Sequence, residues 1–335
     1  MNIKEVAKRA NVSTATVSRT INNTSFVDPK TAKKVWKAID ELGYHPNTHA
    51  RSLASGRSRI LGLIVSDIVN PFFPELVKSF EDVVTQHGYE ILIANTDYCA
   101  TRMALCVKRM VERQVDGVAI MTSEMDGASI EALAHKSIPM VFLDVGTVGH
   151  LVSNINIDYA QGIDEAVRHL LGLGHRRIGF ISGPNNLKSA RIRRSAFIEC
   201  LDKYGLVENE QLIFAGNHKF DGGLAAMHHL LTAERPPTAV LASNDLTAFG
   251  AIRAIRLAGL RVPDDVSVVG FDDIDPAHFA EPPLTTVRLS RSDLAEKAFH
   301  ALMYSVNIST PAGREFVVET HLVVRESTGS VPLDE

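Results

Sequence analysis

The sequence predicts two domains of different class: a small all-α helix-turn-helix head over residues 1–45 and a large α/β body over residues 60–330, joined by a linker at 46–59. Three observations carry this reading. Residues 1–44 hold three short helical patterns, each with its own cap signals. From Arg59 onward, short Val- and Ile-rich runs alternate with amphipathic stretches, as buried parallel strands alternate with helices. The charge is also divided: residues 1–59 carry eleven Lys and Arg against four acids, a balance of +7, which leaves −11 for residues 60–335 in a chain of net charge −4.

In the head, Asn2 stands at an N-cap position and Glu5, three residues on, completes a capping box. Asn11 suits a tight turn. Ser13 caps a second helix running through Thr16, Val17 and Ile21. Asp28 precedes Pro29, a cap followed by proline at the first helical position. The third helix carries Val35, Ile39 and Leu42 at helical spacing and stops at Gly43; Val6, Ala7, Ala10, Val12, Val17 and Ile21 supply the facing apolar groups.

With Val17 and Ile21 turned inward, Thr14, Ala15, Ser18, Arg19 and Asn22 remain outside. The second helix of a helix-turn-helix lies in the DNA major groove with its N-terminal residues at base edges. Arg19 can fork onto guanine O6 and N7, and the methyls of Thr14 and Ala15 can touch a thymine methyl. The hydroxyls and amide of Ser13, Thr16, Ser18 and Asn22 suit phosphate oxygens. A plain capped helix with a solvated basic face is the alternative; the turn four residues after Ala7 and the basic balance favour DNA binding.

The linker from His45 to Arg59 is small, polar and basic. Beyond it, runs at 60–66, 90–94, 117–121, 139–143, 177–181, 238–242 and 267–270 predict strands, with helical stretches such as 74–87, 161–173 and 246–258 between them. About 270 residues is long for one sheet, so two doubly wound parallel-sheet lobes are expected. In open α/β sheets ligands bind beyond the C-terminal strand ends. Those ends are Asp67, the 95–97 segment, Asp144, Ser182, Asn244 with Asp245, and Asp272 with Asp273, a set rich in hydrogen-bonding groups.

Other classes fit poorly. No apolar run is long enough to span a membrane. The charged residues Lys4, Glu5, Lys8 and Arg9 interrupt the N-terminus, so a secretory signal is not expected. Cys99, Cys106 and Cys200 form no disulfide framework and read as reduced thiols of a cytoplasmic protein. P-loop, metalloprotease and nucleophile-elbow motifs are missing, and His228 and His229 are adjacent on a helix and point apart. No catalytic residue, metal site or cofactor is expected. A transport-type solute receptor would share the body but need a signal peptide and no basic head. A sugar-modifying enzyme would need a nucleophile or base that the sequence does not offer.

Several motifs together resemble the LacI/GalR family of transcriptional regulators. In the head these are Ile3-Lys4-Glu5-Val6-Ala7 with Val12-Ser13, Thr16-Val17-Ser18-Arg19, Glu41-Leu42-Gly43-Tyr44, Pro46-Asn47 and Ala50-Arg51-Ser52-Leu53. In the body they are Ile60-Leu61-Gly62-Leu63-Ile64, Asn70-Pro71-Phe72-Phe73, Gly174-His175-Arg176-Arg177-Ile178, Gly270-Phe271-Asp272-Asp273 and Pro282-Pro283-Leu284-Thr285-Thr286. The resemblance implies a cytoplasmic homodimeric repressor that binds a palindromic double-stranded operator and is controlled allosterically by a small metabolite, a sugar or sugar derivative. It implies a periplasmic-binding-protein-like body in which the chain crosses between lobes three times. The N-lobe would take about 60–157 and 289–315, and the C-lobe about 158–288 and 316–330. No terminal heptads follow, so no tetramer is expected.

By the same resemblance, the segment from Asn47 to Ser55 is a hinge helix with Ala50 and Leu53 one helical step apart. Paired leucines would wedge into the minor groove and kink the DNA; tethering of the linker by Leu53 is the alternative. The effector pocket would draw on Phe72, Phe73, Asp144, Arg193, His218, Asn244, Asp272 and Arg291. For Arg193 a surface salt bridge remains open, since Arg191 and Arg194 are neighbours, and for Asp272 a strand-end cap. Arg291 occupies a position that is often aromatic in the family, which brings an anionic sugar acid into consideration.

Overall fold

In the head, α1 (Ile3–Ala10) begins with the full capping box: the Asn2 side chain accepts from the Lys4 and Glu5 amides, and Glu5 reaches back to the Asn2 amide at 3.0 Å. Asn11 ends it in the left-handed conformation at φ 54°, which asparagine tolerates. The second helix, α2 (Thr14–Asn22), is capped by Ser13, whose hydroxyl accepts from the Thr16 amide at 3.1 Å. The third, α3 (Pro29–Leu42), is capped by Asp28 and closed by Gly43 at φ 56°. Val6, Ala7, Ala10, Val17, Val35, Ala38 and Ile39 form their common core.

The computed structural model describes residues 2–22, 26–44, 56–122, 127–144, 148–206, 210–307 and 312–331. The chain separates into two units, Met1–Arg59 and Ile60–Glu335. The hinge residues Asn47, Ala50 and Leu53 lie outside the described residues.

The body is a mixed, mostly parallel sheet of eleven strands among the described residues, flanked by helices. Its first half holds β1 (Ile60–Val65), β2 (Glu90–Asn95), β3 (Gly117–Met121), β4 (Met140–Leu143) and β5 (Val152–Asp158), in the order β2-β1-β3-β4-β5. With it go the helices α4 (Phe72–Gln86), α5 (Ala100–Glu112) and α6 (Gly127–Ala134). After α7 (Tyr159–Gly172), the second half builds β6 (Ile178–Ser182), α8 (Lys188–Lys203), β7 (Ile213–Ala215), α9 (Phe220–Leu231), β8 (Ala239–Ala242), α10 (Asp245–Leu257), β9 (Ser267–Asp272), α11 (Pro276–Phe279) and β10 (Thr285–Leu289). Its strands run β10-β9-β8-β6-β7. Then α12 (Arg291–Asn307) returns to pack on α4 in the first half.

The last strand, β11 (Glu315–Val323), joins the halves. Glu315–Glu319 pairs parallel with β5, and residues 320–323 pair antiparallel with β10. The exchange of partners falls between Glu319 and Thr320, a few residues beyond the crossing expected near 315. Thr320 is buried there; its hydroxyl donates to the Asp158 carbonyl at 2.6 Å and accepts from the Gly162 amide at 3.1 Å. A Cβ on Gly162 would overlap Thr320, so only glycine lets α7 approach this junction.

The seven strands expected from apolar runs are present, with no end shifted by more than two residues. Four were not foreseen: β5, β7, β10 and β11. Each departs from the fully buried pattern. β5 carries Ser153, Asn154 and Asn156, β10 opens on Thr285 and Thr286, β11 alternates exposed and more covered positions, and β7 is a three-residue edge. Among the described residues no helix is long and apolar enough to cross a membrane.

Candidate functional site

The head presents the outward face of α2. Thr14, Ala15 and Arg19 are exposed, whereas Thr16, Ser18 and Asn22 are half-buried. Part of the polar set is spent within the helix. Ser13 and Thr16 share a hydroxyl hydrogen bond of 2.9 Å, and the Asn22 amide donates to the Ser18 hydroxyl at 3.2 Å. Thr20 turns inward and bonds the Thr16 carbonyl at 2.9 Å. Of the α2 residues expected to contact DNA, Thr14, Ala15 and Arg19 are the exposed ones.

In the body, the C-terminal ends of strands from both halves face a common cleft. β1 supplies Ser66, β3 Met121 and Thr122, β4 Leu143 and Asp144, β8 Asn244, and β9 Asp272. Seven residues expected from sequence line it together: Phe72, Phe73, Asp144, Arg193, His218, Asn244 and Asp272. Phe72 and Phe73 meet edge to face with centroids 5.3 Å apart at the start of α4, where Asn70 accepts from the Phe72 amide at 3.1 Å.

Arg193, on α8, points inward and is buried, so it is not part of a surface salt bridge. Its guanidinium lies over the rings of Tyr159, at 4.8 Å, and Phe271, at 4.4 Å. It donates to the Ser243 carbonyl at 2.6 Å and stands 3.7 Å from Asp272. Among the described residues its buried Nε has no hydrogen-bond partner. A buried donor of this kind costs stability unless something occupies it, which suits a site meant for a ligand acceptor.

The carboxylates are set by the turns that follow their strands. Asp144 takes φ 56°, accepts from the Ile157 amide at 2.9 Å and from the Tyr159 hydroxyl at 2.7 Å, and is pushed up in pKa by burial. Asp272 takes φ 109°, outside the usual wells for a residue with a Cβ. Burial pushes its carboxyl up to about 6, against the opposing pull of Arg193 and Arg291. His218, at φ 61°, packs its ring on Gly183 and meets the Ser243 hydroxyl at 3.2 Å. Burial, with Arg193 nearby, drops its pKa to about 3, so it stands neutral at physiological pH. Asn244 caps α10 and donates to the His218 carbonyl at 2.9 Å.

Arg291 is placed differently from the expectation. It does not line the cleft; its guanidinium pairs with Glu75 at 2.7 Å and donates to the Asp272 carbonyl at 2.7 Å. Its charge is neutralised behind the wall, which removes the reason for expecting an anionic sugar acid. Tyr159 and Phe271, the platform under Arg193, were not foreseen from sequence, nor were Tyr98 and Ser189 in the lining. Tyr159 directly follows β5, and recognising that strand would have exposed it.

A groove-reading helix on a basic head, carried by a chain whose α/β body closes strand ends around a polar and aromatic cleft, defines a DNA-binding regulator controlled by a small molecule. Comparison with known proteins agrees. Residues 2–47 match the model of bacterial regulatory proteins of the lacI family, and residues 167–328 match the periplasmic binding protein-like domain. The chain is 35% identical over 326 residues to the HTH-type transcriptional repressor PurR of Photobacterium profundum, covering 97% of this chain and 98% of that one. It is 33% identical over 331 residues to the repressor CytR of Escherichia coli, covering 98% and 97%. A lac repressor dimer bound to operator and the anti-inducer ONPF superposes with a TM-score of 0.85 at 29% identity, covering 98% of this chain and 99% of that one. A complex of the regulator CelR with cellobiose superposes at 0.74 and 32% identity, with the same coverage. The chain belongs to the LacI family of transcriptional regulators.

Proposed function

We propose that this chain is a cytoplasmic repressor, without enzymatic activity, that binds a palindromic operator as a homodimer and responds to a neutral, polyhydroxylated small molecule in the cleft. The balance of charge in the cleft carries the choice of ligand. Arg193 is its one cation among the described lining residues, against the carboxyls of Asp144 and Asp272, and His218 is neutral. An anion would meet a surplus of acid, whereas hydroxyls can donate to the carboxylates and accept from Arg193 and Asn244. Phe72 and Phe73 offer an apolar face for the ring of such a ligand. The cellobiose bound by CelR and the ribose bound by a LacI-family regulator from Enterococcus faecium support the same class.

The Asp272 carboxyl gives this reading a pH signature. With a pKa of about 6, and a lower one once ligand hydroxyls donate to it, the group must release its proton on binding at acid pH. Affinity for the ligand is expected to be flat above about pH 6 and to weaken below it, by at most about tenfold per pH unit. Calorimetric titration of a sugar selected by thermal shift, from roughly pH 5 to roughly pH 8, checks this. Asp272→Asn should flatten the profile, and an unchanged slope in that variant would assign the proton elsewhere.

At the head, Arg19→Ala should cost about 1–3 kcal/mol of operator affinity and relax preference at a guanine position. Lys33→Ala, on α3, should weaken all sequences alike and lower the salt dependence. Titration of a selected operator and its single-base variants separates the two. Equal, sequence-independent losses would make Arg19 a phosphate contact.

A further inference from the structure

The loop that follows β9 carries Asp272 into the cleft, and it is gripped from several directions. Within its own half, Asp245 accepts from the Ile274 amide at 2.9 Å, while Arg288 and Arg325 each donate to the Asp273 carboxylate at 2.6 Å. Despite the cost of burial, those two guanidinium groups hold the Asp273 carboxyl below its ordinary pKa. Two further bonds come from the other half. Glu75 on α4 accepts from the Asp275 amide at 2.9 Å, and Arg291, at the start of α12, donates to the Asp272 carbonyl at 2.7 Å. Glu75 and Arg291 pair with each other at 2.7 Å, each less than one-fifth exposed.

We propose that the Glu75–Arg291 pair is a latch that ties the first half of the body to the 272–275 loop of the second, and so positions Asp272 from behind the cleft. The pair bridges two helices of one half, and each member spends a remaining hydrogen bond on backbone of the other. It therefore couples two things: the closure of the halves, and the conformation of a loop whose Asp272 and Asp273 both sit at positive φ. A side-chain pair on one half, bonded to a strained turn on the other, is placed to make parting of the halves and release of the turn a single event. Neither residue touches the ligand in this account. They are positioning residues.

The test uses the full chain without any ligand, so its failure leaves the proposed ligand class untouched. Hydrogen exchange is followed in the wild type, Glu75→Ala, Arg291→Ala, the double variant and Arg291→Lys, together with small-angle scattering. Each alanine variant should speed amide exchange over residues 272–275 by at least about tenfold, as loss of a charge-assisted hydrogen bond implies. The radius of gyration should rise as the halves part. The double variant should add little to either single one, since both remove the same device. Arg291→Lys keeps a cation beside Glu75 without the fork, and should recover part of the protection. The β8 segment Ala239–Ala242 should stay protected throughout. Three results would each overturn the latch: unchanged exchange at 272–275, faster exchange with unchanged scattering, or equal loss of protection in β8.

Discussion

Asp272→Ala is expected to leave operator binding indifferent to the small molecule. The Asp272 side chain is buried at the end of β9, faces Arg193 at 3.7 Å, and contributes one of two carboxyls in the cleft. Alanine removes a hydrogen-bond acceptor for ligand hydroxyls and leaves Arg193 with the Ser243 carbonyl and two aromatic rings. Breaking a buried pair by deleting one partner typically costs 3–5 kcal/mol; the loose geometry here suggests about 3 kcal/mol, visible as a lower melting temperature. A ligand shifts DNA affinity only by its differential affinity for two arrangements of the protein. Without the Asp272 grip that differential disappears. If the ligand is an inducer, the variant binds operator normally with or without it; if a corepressor, the high-affinity form is lost. Operator titration with and without a sugar selected on the wild type by thermal shift is the measurement. A full wild-type response would reduce Asp272 to a structural partner of Arg193.

Removing residues 1–58 should abolish operator binding while leaving a folded body that binds the ligand. The two units have separate cores, one built on Val6, Val17, Val35 and Ile39, the other spread over the eleven-stranded sheet. They also carry opposite charge, +7 in residues 1–59 and −11 beyond. Specific operator affinity commonly exceeds non-specific binding by about 10³–10⁷-fold. Loss of both the basic surface and α2 removes the specific and the electrostatic terms together, and a net acidic body should repel the phosphate backbone. Gel shift at low salt, beside a melting curve with ligand, checks both halves of the expectation. Specific retention of operator by the shortened chain would show that the head has been misassigned.

The head was legible almost residue by residue, because local rules build it. The Asn2–Glu5 box, the Asn11 turn, the Ser13 cap and the Asp28-Pro29 start are all short-range signals, and each appears where expected. The base-reading face needed only one further step, the helical period that turns Val17 inward and Arg19 outward. The central strands were equally legible, since a strand covered on both faces must be a continuous apolar run. The strands at the junction and the edge were not. β5 and β11 hold polar residues, and the pairing that joins them to each other is between residues more than 150 positions apart, which no local pattern reveals.

The cleft divides in the same way. The sequence by itself determined that acids and amides stand at the ends of buried strands, and with the family motifs it named seven lining residues. Which way each side chain is used was decided by tertiary structure alone. Arg193 and Arg291 are both arginines near the start of a body helix, yet one lies over Tyr159 and Phe271 inside the cleft and the other is consumed by Glu75 outside it. The same holds for charge: His218 becomes neutral and Asp272 is pushed up toward 6 because burial penalises the ionised form. Local sequence encodes caps, turns and periodicity because these depend on neighbours a few residues apart. Desolvation and ion pairing depend on what the folded chain brings from elsewhere, and only the packed structure supplies that.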